Sequence, residues 1–262
     1  VFDLGGSNFS LKRLECGTVR KVSPSIGQNE RLYKQMLKQK EFGDSACFDC
    51  IVSPKILAIG FEHKLFYFDM EYVAGKLFFD YISIVPGNEI LRICTELIEY
   101  FDTGFADSTL YDVEELQKNI RSKLDSLHMN TEHTMFVEYL RNIVSDLDEL
   151  PHGFCHGDMT LSNMIFRGDD IVLLDFLDSF IDSPVIDLIK LKQDLRYNWS
   201  FYLRDIPLYY ETRIRQSFVY IWSVLEKRYE QYIDTTEFRV LEAMNFLRIE
   251  PYISSEKKKH LS

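Results

Sequence analysis

A polar, glycine-containing stretch followed by two short apolar runs interrupts a chain that otherwise reads as helix from about residue 88 onward. Residues 151–175 carry no helical period. Met164-Ile165-Phe166 and Ile171-Val172-Leu173-Leu174 flank the turn-forming Arg167-Gly168-Asp169-Asp170, which predicts a β-hairpin placed directly after a polar loop. Any fold for this sequence must therefore set one small hairpin among helices.

Upstream the pattern differs. Ser7 to Leu14 alternates weakly, Thr18 to Val22 is a short strand, and Pro24 to Gly27 breaks the run. Asn29 to Phe42 places Leu32, Met36, Leu37 and Phe42 at helical spacing. Ile56 to Phe61 and Leu65 to Val73 are two strands joined at Glu62-His63-Lys64. The order is strand, strand, helix, strand, strand. Ala74-Gly75 marks a hinge, and the chain then turns helical over 88–105, 112–127 and 131–147, with Asp112 and Thr131 as N-caps. From Ser183 to near the end it is helical again, with Asp205-Ile206-Pro207 opening one helix and Lys257-Lys258-Lys259 a frayed tail. The expected class is α+β: a small sheet-plus-helix lobe, residues 1–73, and a larger, mainly helical lobe, residues 74–262.

The apolar fraction of 46% and aromatic fraction of 14% supply a sizeable core and disfavour disorder. With 41 acidic against 30 basic residues the formal charge is -11. Nucleic-acid binding rests on phosphate neutralisation, so this balance argues against it. It serves solubility and is compatible with a cationic substrate. The five cysteines, at 16, 47, 50, 94 and 155, are odd in number and irregular in spacing, so no disulfide framework is expected. Cys47 and Cys50 form a lone CxxC with no second pair nearby to complete a zinc site. No run reaches the ~18 apolar residues of a membrane span. Residues 1–6 lack the charged and apolar regions of a signal peptide. A cytoplasmic protein is expected.

The chemistry concentrates in His156-Gly157-Asp158-Met159-Thr160-Leu161-Ser162-Asn163 and Leu174-Asp175-Phe176. These place a carboxylate, an amide five residues on, and a second carboxylate across the hairpin. Phosphoryl transfer asks for that set: metal ions bridging the phosphates and a group orienting the acceptor hydroxyl. Mg²⁺ prefers hard oxygens, which Asn163 and Asp175 carry, and Asp158 is suited to accept the hydroxyl proton. Asp and Asn are also common turn residues, so a single His-Gly-Asp would mean little. No Gly-x-Ser-x-Gly nucleophile signal is present. His156 reads as a structural residue of the loop.

The whole pattern, His-Gly-Asp, four residues, Asn, then Asp twelve positions later, resembles the catalytic loop of the aminoglycoside phosphotransferase and choline kinase family, small-molecule relatives of protein kinases. The resemblance implies a protein-kinase-like bilobal fold. It implies a kinase that uses Mg²⁺ and ATP or GTP, with a hydroxyl of a sugar, amino alcohol or aminoglycoside-like small molecule as acceptor. Asp158 would be the catalytic base, Asn163 and Asp175 the metal ligands, and Asp187 the buried residue that braces the loop. Ser7 and Asn8, after Gly5-Gly6, would approach the phosphates. Thr18-Val19-Arg20-Lys21 is similar to the kinase strand whose Lys reaches the α- and β-phosphates. Lys21 fits that place, though a one-residue slip would substitute Arg20. Glu30 is the nearest partner for Lys21, with Gln35, Gln39 and Glu41 as alternatives. Met70 to Gly75 resembles the segment whose backbone, around Glu71 to Val73, binds the base edge. Gly157 and Leu177 depart from the protein-kinase pattern, and no Ala-Pro-Glu follows, which favours a small acceptor over a protein. Asp178, Ser179, Arg196, Tyr197, Asn198, Trp199 and Tyr202 are candidates for the acceptor region, with helix packing the competing role for Trp199 and Tyr202. A nucleotide-binding pseudokinase without turnover is the alternative reading.

Overall fold

The computed structural model describes residues 9–14, 17–45, 48–127, 133–202 and 208–249. Contacts divide the chain into two units, residues 1–86 with 156–178, and residues 87–155 with 179–262. The sequence places its division at 73/74; strand pairing instead groups residues 74–86 and the hairpin with the first unit.

The first unit contains β1 (Ser10–Arg13), β2 (Thr18–Val22), α1 (Asn29–Ser45), β3 (Ile51–Val52), β4 (Ile56–Glu62), β5 (Leu65–Glu71), β6 (Lys76–Leu77), α2 (Phe78–Ile82), β9 (Met164–Arg167) and β10 (Asp170–Leu173). β1, β2, β5 and β4 form an antiparallel sheet in that order. The β4–β5 connection is the two-residue turn His63-Lys64, both with positive φ (50° and 66°), the geometry whose twist suits a tight hairpin. α1 lies on one face of the sheet because Leu32 and Met36 recur on its inner stripe. They close a core with Phe9, Phe66, Phe68 and Met70, each fully buried side chain stabilising the unit by roughly 1.5–3 kcal/mol. The opposite face carries Arg20, whose guanidinium grips Asp69 at 2.7 and 2.9 Å and stacks 3.8 Å over the Tyr67 ring.

β9 and β10 form the expected hairpin, pairing Asp170 with Arg167 through Leu173 with Met164. Two short strands distant in sequence extend it: β3 runs parallel to β10, and β6 antiparallel to β9. Gly75 permits the second approach. A Cβ there would stand 2.4 Å from the Phe166 carbonyl oxygen and 2.5 Å from Ile165 Cγ2.

The second unit is mainly helical. It holds α3 (Gly87–Ala106), β7 (Thr109–Leu110), α4 (Val113–Ser126), α5 (Thr134–Ile143), β8 (Pro151–His152), α6 (Pro184–Leu195), α7 (Trp199–Tyr202), α8 (Leu208–Arg228), α9 (Glu230–Ile233) and α10 (Thr236–Ile249). Asp112 caps α4 by accepting from the Glu115 N–H at 2.9 Å. Thr131, Asp205 to Pro207 and the terminal lysines lie outside the described residues. α6 is the central helix, buried on nearly every side and packed by α3, α8 and α10. Its Asp187 is fully buried and accepts from Tyr100 Oη of α3 at 2.7 Å. No described helix is long and apolar enough to cross a membrane.

Candidate active site

The loop at 156–163 is built from its own backbone outward. Gly157 turns the chain with φ of 86°. The Thr160 N–H then donates to the Asp158 carbonyl at 2.7 Å, and the Asn163 N–H to the Thr160 carbonyl at 3.0 Å, closing a single tight turn over Leu161–Asn163. Met159, Leu161 and Met164 are completely buried and pin this turn from beneath.

His156 has the structural place expected of it. Its Nδ1 accepts from the Asp158 N–H at 3.2 Å, so the ring proton sits on Nε2, which donates to the Leu174 carbonyl at 2.7 Å. The Leu177 N–H returns to the His156 carbonyl at 3.0 Å. Below it, Phe176 is buried, 4.3 Å from the imidazole and 5.3 Å from Phe42 of α1. The loop and the segment after β10 are thus fastened at both ends of one side chain.

The hairpin register sets the remaining pair. Leu174 N–H donates to the Asn163 carbonyl at 2.9 Å, one step beyond the last ladder pair of β9 and β10. Asp175 follows at once with φ of 58°. A non-glycine residue in this left-handed region is uncommon, though Asp tolerates it better than most, and such residues gather at functional sites. Asn163 Nδ2 donates to the Asp158 carbonyl at 2.8 Å and to Asp158 Oδ2 at 3.2 Å. Both partners are acceptors, so the amide nitrogen faces Asp158 and Oδ1 is the atom turned away.

Lys21 lies on the α1 side of β2 and is 2% exposed. Its Nζ donates to Asp175 Oδ1 at 3.0 Å and to Gln35 Oε1 at 3.2 Å, with the Phe9 ring 5.2 Å away. Arg20 takes the other face. Glu30 does not meet Lys21. It sits on the first turn of α1 with its side chain 81% exposed, 3.6 Å from Lys34. The helix rotation that buries Leu32 and Met36 turns Gln35 inward and position 30 outward, so Gln35 replaces Glu30 as the partner. Two contacts with no counterpart in the sequence reading bring α1 to the same segment. Lys38 Nζ donates to the Leu177 carbonyl at 3.1 Å, and Lys34 lies 3.7 Å from Asp178.

Glu71 ends β5. Its carboxylate takes Arg167 of β9 at 2.7 Å and its N–H donates to the Lys55 carbonyl at 3.0 Å. The Tyr72 N–H is committed to the Gly17 carbonyl at 2.8 Å. Val73 is buried, outside any strand, and its backbone groups have no bonded partner among the described residues. Ser7 and Asn8 lie outside the described residues, as do Cys47 and the Tyr202 side chain. Of the other acceptor candidates, Tyr197 packs edge-on against Phe246 and lies 3.3 Å from Glu242, a packing role within the helical unit.

The donor set suits a hard divalent cation. No cluster of three or more His, Cys, Asp or Glu side chains that could hold a metal occurs among the described residues. Mg²⁺ does not require one, because it takes one or two protein oxygens and completes its shell with water and phosphate. Asn163 Oδ1 and the Asp175 carboxylate are such oxygens. A separate apolar cavity of about 530 Å³, lined by Asn29, Glu30, Tyr33, Ile59 and Phe61 among others, contains none of the loop residues.

Solved structures with this fold include the aminoglycoside phosphotransferase APH(4)-Ia in a ternary complex with AMP-PNP and hygromycin B. It is 14% identical with a TM-score of 0.57, over 92% of this chain and 84% of that one. APH(3'')-Id from Streptomyces rimosus is 14% identical with a TM-score of 0.56, over 94% of each chain. APH(2'')-IIIa with GDP and kanamycin is 17% identical with a TM-score of 0.53, over 92% and 90%. At these identities the likeness shows a common protein-kinase-like fold. No match is found among curated protein sequences. The sequence model of the phosphotransferase enzyme family matches residues 51–226, which span the loop, the hairpin and most of the helical unit, and the chain therefore belongs to that family.

Proposed function

We infer that this protein is a small-molecule kinase, transferring the γ-phosphoryl group of ATP or GTP to a hydroxyl of a sugar, amino alcohol or aminoglycoside-like acceptor. The observation that carries this reading is two hydrogen-bonded pairs drawn from three separate segments and set side by side by the backbone bond from the Leu174 N–H to the Asn163 carbonyl. Asp158 is bonded by Asn163, and Asp175 by Lys21. Membership in the phosphotransferase family supports the reaction class.

In the proposed reaction Asp158 accepts the hydroxyl proton as the acceptor oxygen bonds to the γ-phosphorus. The bond from that phosphorus to the bridging oxygen breaks, and the nucleoside diphosphate leaves with the electron pair. Asn163 holds the Asp158 carboxylate in place. Lys21 neutralises phosphate charge on the donor. Asn163 Oδ1 and Asp175 would hold Mg²⁺, which when bound offsets charge on the phosphate oxygens. The Val73 backbone groups suit the edge of a purine, and Ser7 and Asn8 are proposed to approach the phosphates.

The test is nucleotide consumption with Mg²⁺ over a panel of hydroxyl compounds, with the phosphorylated product identified by ³¹P NMR. Product from at least one small acceptor is the expected result. Nucleotide binding without turnover on any acceptor would make the chain a pseudokinase, and phosphate appearing only on protein would make it a protein kinase.

A further inference from the structure

We propose that Gln35 is a positioning residue that couples metal binding to nucleotide binding: by giving Lys21 a neutral partner, it leaves Asp175 as the counter-charge of Lys21 until phosphate arrives. The proposal rests on the kinase reading above and adds a property that the reading does not require.

The argument starts from burial. Lys21 is 2% exposed, and a buried ammonium requires compensating charge and acceptors. Among the described residues it has two bonded partners, the Gln35 amide oxygen and the Asp175 carboxylate. Only the second is charged. Lys carries no acceptor, so the Gln35 oxygen must face it and the Gln35 nitrogen must face away. That nitrogen is buried with no hydrogen-bond partner among the described residues, in a residue itself 2% exposed. A glutamate, being acceptor-only, would leave no orphaned donor and would supply the missing charge. Gln35 is not needed to tether α1 either, since Lys38 and Lys34 already reach Leu177 and Asp178.

The consequence is exclusion. Asp175 Oδ1, 3.0 Å from the Lys21 ammonium, is both occupied and electrostatically shielded by the cation beside it. A divalent metal ion approaching that carboxylate alone meets the lysine charge. A phosphate oxygen draws Lys21 to itself and releases Asp175. Each ligand frees the group that the other requires, which is positive coupling and reciprocal by linkage. With Glu at position 35 the lysine would be compensated without Asp175, and the coupling would weaken.

The probe is Mn²⁺ alone, titrated calorimetrically into the wild-type chain, Gln35→Glu, Gln35→Ala, Asp175→Asn and the double variant Gln35→Glu/Asp175→Asn, each first checked for a native melting transition. Wild type and Gln35→Ala bind weakly. Gln35→Glu binds about tenfold tighter or better, and the gain disappears in the Asp175→Asn background, as a double-mutant cycle requires of a coupled pair. Lys21→Gln, which removes the competing cation, gives the same gain if Gln35→Glu does not fold. Affinity in Gln35→Glu and Lys21→Gln no higher than in wild type, or a gain that survives Asp175→Asn, overturns the proposal. A melting-point rise of the wild type with Mg²⁺ and nucleotide is measured in parallel. Its absence sinks the kinase reading itself, whereas nucleotide stabilisation without the Mn²⁺ gain sinks only the coupling.

Discussion

Asn163 donates through one amide nitrogen to two oxygens of Asp158, the main-chain carbonyl at 2.8 Å and the carboxylate at 3.2 Å. The pairing fixes both where the loop turns and where its carboxylate sits. Asp158→Asn preserves the size and the turn but removes the carboxylate proposed to accept the hydroxyl proton. Turnover should fall by roughly 10²- to 10⁴-fold while nucleotide affinity stays near wild type. Asn163→Ala removes the support and the proposed metal oxygen together, so the Mg²⁺ requirement should rise along with the loss of turnover. Steady-state kinetics across a Mg²⁺ series, with nucleotide binding measured separately, checks both.

Arg20 and Lys21 are neighbours with opposite tasks, because successive side chains of a strand face opposite ways. Asp69 holds the Arg20 guanidinium firmly charged, chiefly through the forked hydrogen bond and then through its charge. The pair is largely shielded from solvent, Asp69 being buried and the side-chain exposures only 22% and 11%. Arg20→Met should therefore lower stability by about 1.5–3 kcal/mol, because it strands the Asp69 carboxylate, and leave nucleotide affinity unchanged. Lys21→Met should lose nucleotide affinity. Urea unfolding and nucleotide titration of the two variants separate these outcomes, and reversed effects would show that the strand faces have been exchanged.

The hairpin at 164–173 was legible because every contact that defines it is local: apolar runs, a turn, then a polar loop. The strand–strand–helix–strand–strand order was legible because each element carries its own local period, although the sheet it forms pairs β2 with the distant β5. β3, β6, β7 and β8 were not. Each is two residues long, too short for a period to register, and each finds its partner far along the chain. The Lys21 partner shows a different limit. Glu30 carries the charge that sequence reasoning looks for, but helix rotation decides which residue faces the strand. Gln35 and Gln39 sit on the stripe of Leu32, Met36 and Phe42, all buried. Polar residues on an apolar stripe were the available signal. The Lys38 contact with Leu177, spanning 139 positions, carries no sequence signal at all.

Cys94 sits on the inner face of α3, and burial pushes its thiol from 9.0 up to about 11. The folded state favours the neutral thiol. A raised value means that stability is fully present below pH 9 and is lost as pH climbs from there through 11, where the unfolded chain ionises and the folded chain resists. Burial likewise raises Tyr111 from 10.0 to about 12, extending the loss to higher pH. Cys94→Ala should flatten the stability profile between pH 9 and 11, a window worth on the order of 2 kcal/mol. Chemical unfolding at stepped pH reads it. Native-state alkylation at pH 8 should label Cys50, which is half-buried, well before Cys94.

Gly75 and Gly17 are both glycines of the first unit, and alanine should harm them for different reasons. Gly17 has φ of 72° with nothing within 4 Å of a built Cβ. Alanine there pays only the left-handed backbone penalty, about 1–2 kcal/mol, and Asn, which tolerates that region, should recover much of it. Gly75 has no such φ, but its Cβ would strike the Phe166 carbonyl oxygen at 2.4 Å, a backbone atom that cannot swing aside. Phe166 belongs to β9, paired there with Lys76 of β6, so the clash pushes β6 off the hairpin. Overpacking of this kind costs about 1–3 kcal/mol, and Asn should be no better than Ala. The strain is applied two residues from Val73 and beside the Arg167 contact with Glu71. Gly75→Ala should therefore weaken nucleotide binding as well as stability, whereas Gly17→Asn should change little of either. Equal tolerance of Asn at both positions would show that β6 does not approach β9 this closely.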